Sequence, residues 1–190
     1  MIAAALRLGP LVLASRSPQR RAILELLGIE FTVQEPDYDE VDPPGIEPPE
    51  LAERHARGKA ASVAGDVVLG VDTLVAIDGR VLQKPRDAGE ARSFLSTLAG
   101  RTHTVHSGLC LRAHGREHVR RAASAVTFAP LDEDDLDWYL ATGEWRGRAG
   151  AYAVQGRGAA LVREVRGDFQ NVVGLPVPEL LDAMAAAARR

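Results

Sequence analysis

The sequence predicts an α/β fold built on a long mixed sheet, and three observations carry the prediction. A short continuous apolar run, LVLA at residues 11–14, gives way at once to a polar loop and an amphipathic helical segment. The stretch DVVLGVDTLVAI at residues 66–77 is apolar and β-branched, and two alternating stretches, 102–113 and 117–130, are long enough for extended antiparallel strands. Between them lie segments whose apolar residues recur at helical spacing. With 190 residues, 46% hydrophobic and 26% charged, the chain can bury a substantial core and reads as one domain spanning residues 1–190, with room for two lobes.

Each element has its own warrant. After the first strand, Pro18 suits the first helical position, Ala22, Ile23, Leu26 and Leu27 share a face, and Gly28 ends the helix. FTVQE at 31–35 is a short second strand, and the acidic, proline-rich run from Pro36 to Pro49 is a loop. A helix is expected from about Glu50 to Val63. Asp78–Gly79 reads as a hairpin turn into RVLQ. Asp87 and Glu90 are placed to close a capping box on a helix that runs to Leu98 and stops at Gly100. His114–Gly115 joins the two long strands, 131–143 is a short acidic helix, 149–165 reads as a glycine-punctuated hairpin, and a final helix runs from about Pro178 to the terminus.

Composition excludes some functions. A formal net charge of −3 supplies no global field for nonspecific nucleic-acid binding, so a phosphate ligand needs a local site. No apolar run approaches the ~20 residues that span a bilayer. The first charge, Arg7, falls short of the ~7–15 apolar residues of a secretory leader. The expectations are a cytoplasmic protein with no nucleic-acid and no membrane partner. The single Cys110 excludes an intrachain disulfide and is expected to be a core thiol.

The polar cluster SRSPQRR at 15–21 is the first site candidate. A strand that ends in Ser-x-Ser-Pro and opens a helix gathers unpaired N–H groups, two hydroxyls and the positive end of the helix dipole, which is an anion site. The competing reading is that Ser15 or Ser17 only caps the helix. Arg20 and Arg21 lie about 100° apart on that helix and cannot serve one ligand together. Asp72 interrupts an apolar strand, where a carboxylate is costly unless paired or metal-bound. Lys84 leaves the hairpin just before Pro85. The acidic loop residues Asp37, Asp39, Glu40 and Asp42 offer oxygen ligands of the kind Mg²⁺ takes. His103 and His106 face opposite sides of a strand and cannot share a metal.

In this order, LASRSPQRRAILELLGIEF, GKA at Gly58–Ala60, GVDTLVAIDGRVLQKPRD, LAGRTHTVHSGL, AGAYAVQGRGAALV and GDFQNVVGLP resemble the Maf, or septum-formation-type, family of nucleoside triphosphate pyrophosphatases over nearly the whole chain. The resemblance implies a bilobed domain with a long curved mixed sheet, flanking helices and a central cleft, as in the ITPase-like fold, often in a homodimer. It implies hydrolysis of a nucleoside triphosphate between the α and β phosphates with a divalent cation, Mg²⁺ or Mn²⁺. It assigns Ser15, Ser17 and Arg20 to phosphates, Lys59 and Lys84 to developing charge, Asp72 to the base, and Asp72 with Glu40 to the metal, Asp39 being the weaker candidate. Thr73 and Gln155 match the subtype that acts on dTTP and UTP. That subtype reads Ser-Pro-Arg-Arg where this chain has Gln19, and the 7-methyl-GTP subtype carries an aromatic residue there. The alternatives are a pyrophosphatase for 7-methyl-GTP or noncanonical purines, and a nucleotide-binding regulator of cell division without turnover.

Overall fold

The computed structural model describes residues 8–189, so the leader expectation at residues 1–7 lies outside the described residues. Strand β1 (Leu11–Ala14) leads into α1 (Pro18–Leu26), β2 (Phe31–Gln34) and α2 (Pro48–Ala61). Strands β3 (Val67–Ile77) and β4 (Arg80–Leu82), helix α3 (Ala88–Leu98), and the long strands β5 (Thr102–Ala113) and β6 (Arg116–Phe128) follow. Helix α4 (Glu133–Ala141), strand β7 (Val162–Arg166), α5 (Phe169–Val173) and α6 (Val177–Ala188) complete the chain. Among the described residues the strands form one seven-stranded sheet in the order β2-β1-β3-β5-β6-β7, with β4 also on β3. β1 runs parallel to β2 and β3, and every other pair is antiparallel.

Alternation along β3 divides the molecule. Val67, Leu69 and Val71 pack with Leu11, Leu13, Leu24 of α1 and Leu180 of α6. Val75 and Ile77, two and four residues beyond Thr73 on the same face, belong to a second core with Leu95 of α3, Val105, Phe128 and Tyr139 of α4. Thr73, paired in register with the buried Ser107 of β5, therefore marks a polar seam between two apolar cores, the packing counterpart of two lobes. The opposite face carries α2, whose Ala52, Ala56 and Ala60 are fully buried. It lies so close that a Cβ at Gly70 would stand 2.2 Å from the Ala56 carbonyl oxygen, and one at Gly108 2.2 Å from that of Ala52. Only glycine permits that approach.

Both sequence-predicted hairpin turns form, with positive φ at Asp78 and Gly79 and at His114 and Gly115, the pattern of type I′ turns. Two readings change. The 149–165 segment is not a hairpin: it makes two 3-10 turns, Ala149–Ala151 and Arg157–Leu161, and only Val162–Arg166 is a strand, paired with β6. Gly147 and Gly150 take positive φ, and the glycines serve loop turns instead of strand bulges. The capping box at Asp87 is half made. Asp87 accepts from the Glu90 N–H (2.8 Å), but the Glu90 carboxylate is drawn to Arg86. The complete box forms at Asp132 and Asp135 of α4.

Candidate active site

The cleft follows from strand register. β1 pairs with β3 as far as Ala14 opposite Gly70, and β4 takes over only at Leu82 opposite Val75. On that edge, Val71–Leu74 have no strand partner, so the backbone around Asp72 and Thr73 faces open space. The gap lies beside the C-terminal end of β1. There the chain turns one way through α1 to β2 and the other way through α2 to β3, a topological switch point where α/β sheets receive ligands. A cavity of about 670 Å³ opens there, lined by Ser15, Gln19, Glu40, Lys59, Asp72, Lys84 and Gln155 among others.

One wall is the start of α1. Ser17 is the cap, its Oγ accepting from the Arg20 N–H at 3.4 Å while donating to Gln19 Oε1 at 3.2 Å. The capping reading of Ser17 is thus met. Ser15 Oγ accepts from the Ser17 N–H (3.1 Å) and from Arg20 Nη1 (3.0 Å), which leaves its own O–H to point elsewhere. The Arg20 guanidinium is buried and spans the seam, donating from Nε to the Gly174 carbonyl (2.9 Å) and from Nη2 to Thr73 Oγ1 (3.3 Å). Thr73 Oγ1 also contacts Ser107 Oγ (2.9 Å) and the Gly174 carbonyl (3.3 Å). Its two lone pairs and one proton are accounted for if Ser107 donates to it. Burial pulls the Arg20 guanidinium below its ordinary value, and the charges of Asp72 and Glu40 oppose that pull.

The other wall is acidic. Asp72, buried, faces α2, where Lys59 Nζ donates to its Oδ1 at 2.5 Å and reaches Glu40 at 2.7 Å. The second Asp72 oxygen, Oδ2, is buried without a hydrogen-bond partner. Burial alone would raise the Glu40 carboxyl, but the bond and charge of Lys59, with Lys84 and His55 behind them, outweigh it and hold Glu40 below the usual glutamate value. Glu40 is therefore an anion at neutral pH. Lys84 and Gln155 are exposed on the rim.

All ten sequence-predicted site residues, and Asp39, line this one cavity. Asp42 does not: it bonds His55 and Gln83. Sequence reasoning missed Ser107, which completes the seam, Arg146 and Arg148 on the rim, and His55 beneath the acidic loop. His103 and His106 do face opposite sides. His103 packs against Phe128 and Tyr152, and burial lowers it to about 4. Cys110 is a core thiol that burial pushes up to about 12.

Fold and site together define an α/β protein with a ligand crevice at a topological switch point, cationic and helix-dipole groups on one wall and paired carboxylates on the other. The chain belongs to the Maf-like protein family, whose model matches residues 10–187. It is 49% identical over 173 residues to a protein of Anaeromyxobacter dehalogenans named dTTP/UTP pyrophosphatase, covering 89% of each chain. Proteins of the same name from Symbiobacterium thermophilum (46% over 171 residues, 88% of each) and Thermus thermophilus (44% over 182 residues, 95% of this chain and 96% of that one) are similar. Among solved structures, the Staphylococcus aureus Ham1 protein aligns distantly, with a TM-score of 0.45 and 14% identity over 63% of this chain and 72% of that one.

Proposed function

We propose that the protein is a nucleoside triphosphate pyrophosphatase that cleaves dTTP and UTP between the α and β phosphates, giving the monophosphate and pyrophosphate. The observation that carries the reading is Asp72, with one oxygen on Lys59 and the other unpartnered, on the open edge of β3 in a cavity of about 670 Å³. That volume suits a nucleotide. The shared name of relatives at 44–49% identity supports the substrate class.

In this reading the free O–H of Ser15, Ser17 and the N-terminus of α1 receive phosphate oxygens, and Arg20 holds that wall in place while adding positive charge. Asp72 takes a proton from the attacking water. Lys59 and Lys84 offset charge on the departing pyrophosphate. Gln155, with one donor and one acceptor face, reads the imide edge of thymine or uracil, with Thr73 fixing the wall behind the base and Gln19 beside the phosphates.

Asp72 and Glu40 fit Mg²⁺ or Mn²⁺, because such hard cations take one or two carboxylates and leave other positions to substrate phosphates and water. The buried, unpartnered Asp72 Oδ2 is the structural sign of that fit. No group of three or more His, Cys, Asp or Glu among the described residues is placed to hold a metal unaided. When bound, the ion supplies Lewis acidity and a more acidic water. A single domain over 1–190, a homodimer and cytoplasmic residence belong to the same proposal. No described helix is long and apolar enough to cross a membrane.

The test is pyrophosphate release from dTTP, UTP, CTP, 7-methyl-GTP and ITP with Mg²⁺ or Mn²⁺. Turnover concentrated on dTTP and UTP is expected. Turnover confined to the purines would replace the substrate assignment, and none anywhere would leave a nucleotide-binding protein.

A further inference from the structure

The acidic loop is fastened to α2 by residues that take no step in the proposed reaction, although Tyr38 and Gln83 among them also line the cavity. His55 is 1% exposed, yet it lies under a proline-rich loop, and both its ring nitrogens have partners. Nε2 meets Asp42 Oδ1 at 2.9 Å, and Nδ1 meets the Tyr38 hydroxyl at 3.1 Å. Asp42 as a carboxylate accepts only, so a neutral His55 carries its proton on Nε2 and the Tyr38 hydroxyl donates to Nδ1. Gln83 Nε2 donates to the other Asp42 oxygen at 2.7 Å, tying the loop to the chain just after β4, one residue before Lys84.

Two features show that this is a fitted contact. A Cβ at Gly58 would stand 2.1 Å from Cε2 of the Tyr38 ring, so the ring occupies space that only glycine leaves on α2. The spacing also matches: His55 and Lys59 are one helical turn apart, ~6 Å of rise, and their partners Asp42 and Glu40 are two residues apart on a non-helical loop, ~7 Å at full extension. Tyr38, Glu40 and Asp42 alternate along the loop and all reach α2, while Val41 between them is 63% exposed.

We infer that Tyr38, His55, Asp42 and Gln83, with Gly58, form a clamp that positions Glu40 against Lys59 and Asp72. His55 is a positioning residue, and its effect on turnover runs through Glu40. The inference rests on the role proposed above for Glu40, but the hold on the loop is measurable without it.

A glutamyl endopeptidase reads that hold directly. Of Glu35, Glu40 and Glu47, the first and last precede proline, which leaves the Glu40–Val41 bond as the cleavable one. In a folded His55→Leu variant, cutting after Glu40 is expected to accelerate at least about tenfold as the loop's opening becomes cheaper. Turnover of dTTP is expected to fall about tenfold, mainly in kcat, and the same substitution in a Glu40→Gln background to change it less than about twofold. Tyr38→Phe, which keeps the ring on Gly58 and removes one hydroxyl, should shift both readouts the same way by less, and it decides the matter if His55→Leu does not fold. Wild-type cutting rates in a folded variant would overturn the clamp. Faster cutting with additive losses in the double variant would overturn its action through Glu40. If the wild type released no pyrophosphate, the functional reading would fail and the cutting rates alone would decide whether the loop is clamped.

Discussion

The two walls of the cleft handle buried charge in opposite ways. On the α1 wall, Arg20 donates to Ser15, Thr73 and the Gly174 carbonyl, and Thr73 is saturated in turn by Ser107. On the α2 wall, Asp72 has one oxygen on Lys59 and the other on nothing. A satisfied network rigidifies the seam between two cores, whereas an unsatisfied carboxylate keeps its capacity for a ligand. The first wall holds shape, and the second keeps an open ligand position, the feature on which the proposed chemistry rests. The orphan atom alone does not make a site. His103 Nδ1 is also buried and unpartnered, yet it packs against Phe128 and Tyr152 and does not itself line the cavity.

The largest expected effect that would break this contrast is on stability. Arg20→Met keeps the volume but strips partners from Ser15, Thr73 and Gly174, and is expected to cost about 3 kcal/mol in urea unfolding. Arg20→Lys restores only part of it, since an ammonium cannot fork across three acceptors. Asp72→Asn, on the other wall, should stay within about 1 kcal/mol of wild type. Equal losses at the two positions would erase the distinction between the walls.

The pH dependence of stability sharpens the comparison between cleft and core. His103 titrates near 4 in the folded protein because burial disfavours its charged form, against about 6.5 unfolded. As pH falls, the unfolded chain takes up the proton first, so the contribution is full above about 6.5 and is lost on the way down to about 4. Between pH 7 and pH 5 that amounts to about 2 kcal/mol, and His103→Phe should flatten the slope by that amount. The smallest effect is on specificity. Gln155→Ala should narrow the preference for dTTP over CTP about tenfold, since one matched polar edge is lost, while total turnover of a mixed pool changes less.

Much of this was legible from spacing. LVLA followed by Ser-x-Ser-Pro sets a strand, a polar loop and a helix within 17 residues of local sequence, where propensity and capping decide the outcome. Asp72 stood out because a carboxylate in an apolar strand needs a partner. The clamp was not legible, because His55 and Asp42 are 13 residues apart in chain and only the packing of a loop on α2 joins them. The same limit explains the 149–165 segment. Its glycines and small apolar residues fit a hairpin equally well, and the docking of Gly150 against Val75 selects the 3-10 turns. The role of Arg20 as a brace, too, depends on Gly174, 154 positions away.

The most direct test of the central claim pairs two measurements on Asp72→Asn: pyrophosphate release from dTTP, and binding of a non-hydrolysable α,β-imido analogue. If Asp72 is the base in a cleft whose other wall holds the phosphates, release falls about 10³-fold while the analogue binds within about threefold of wild type. Undiminished release from the Asp72→Asn protein would contradict the assignment of chemistry to that wall.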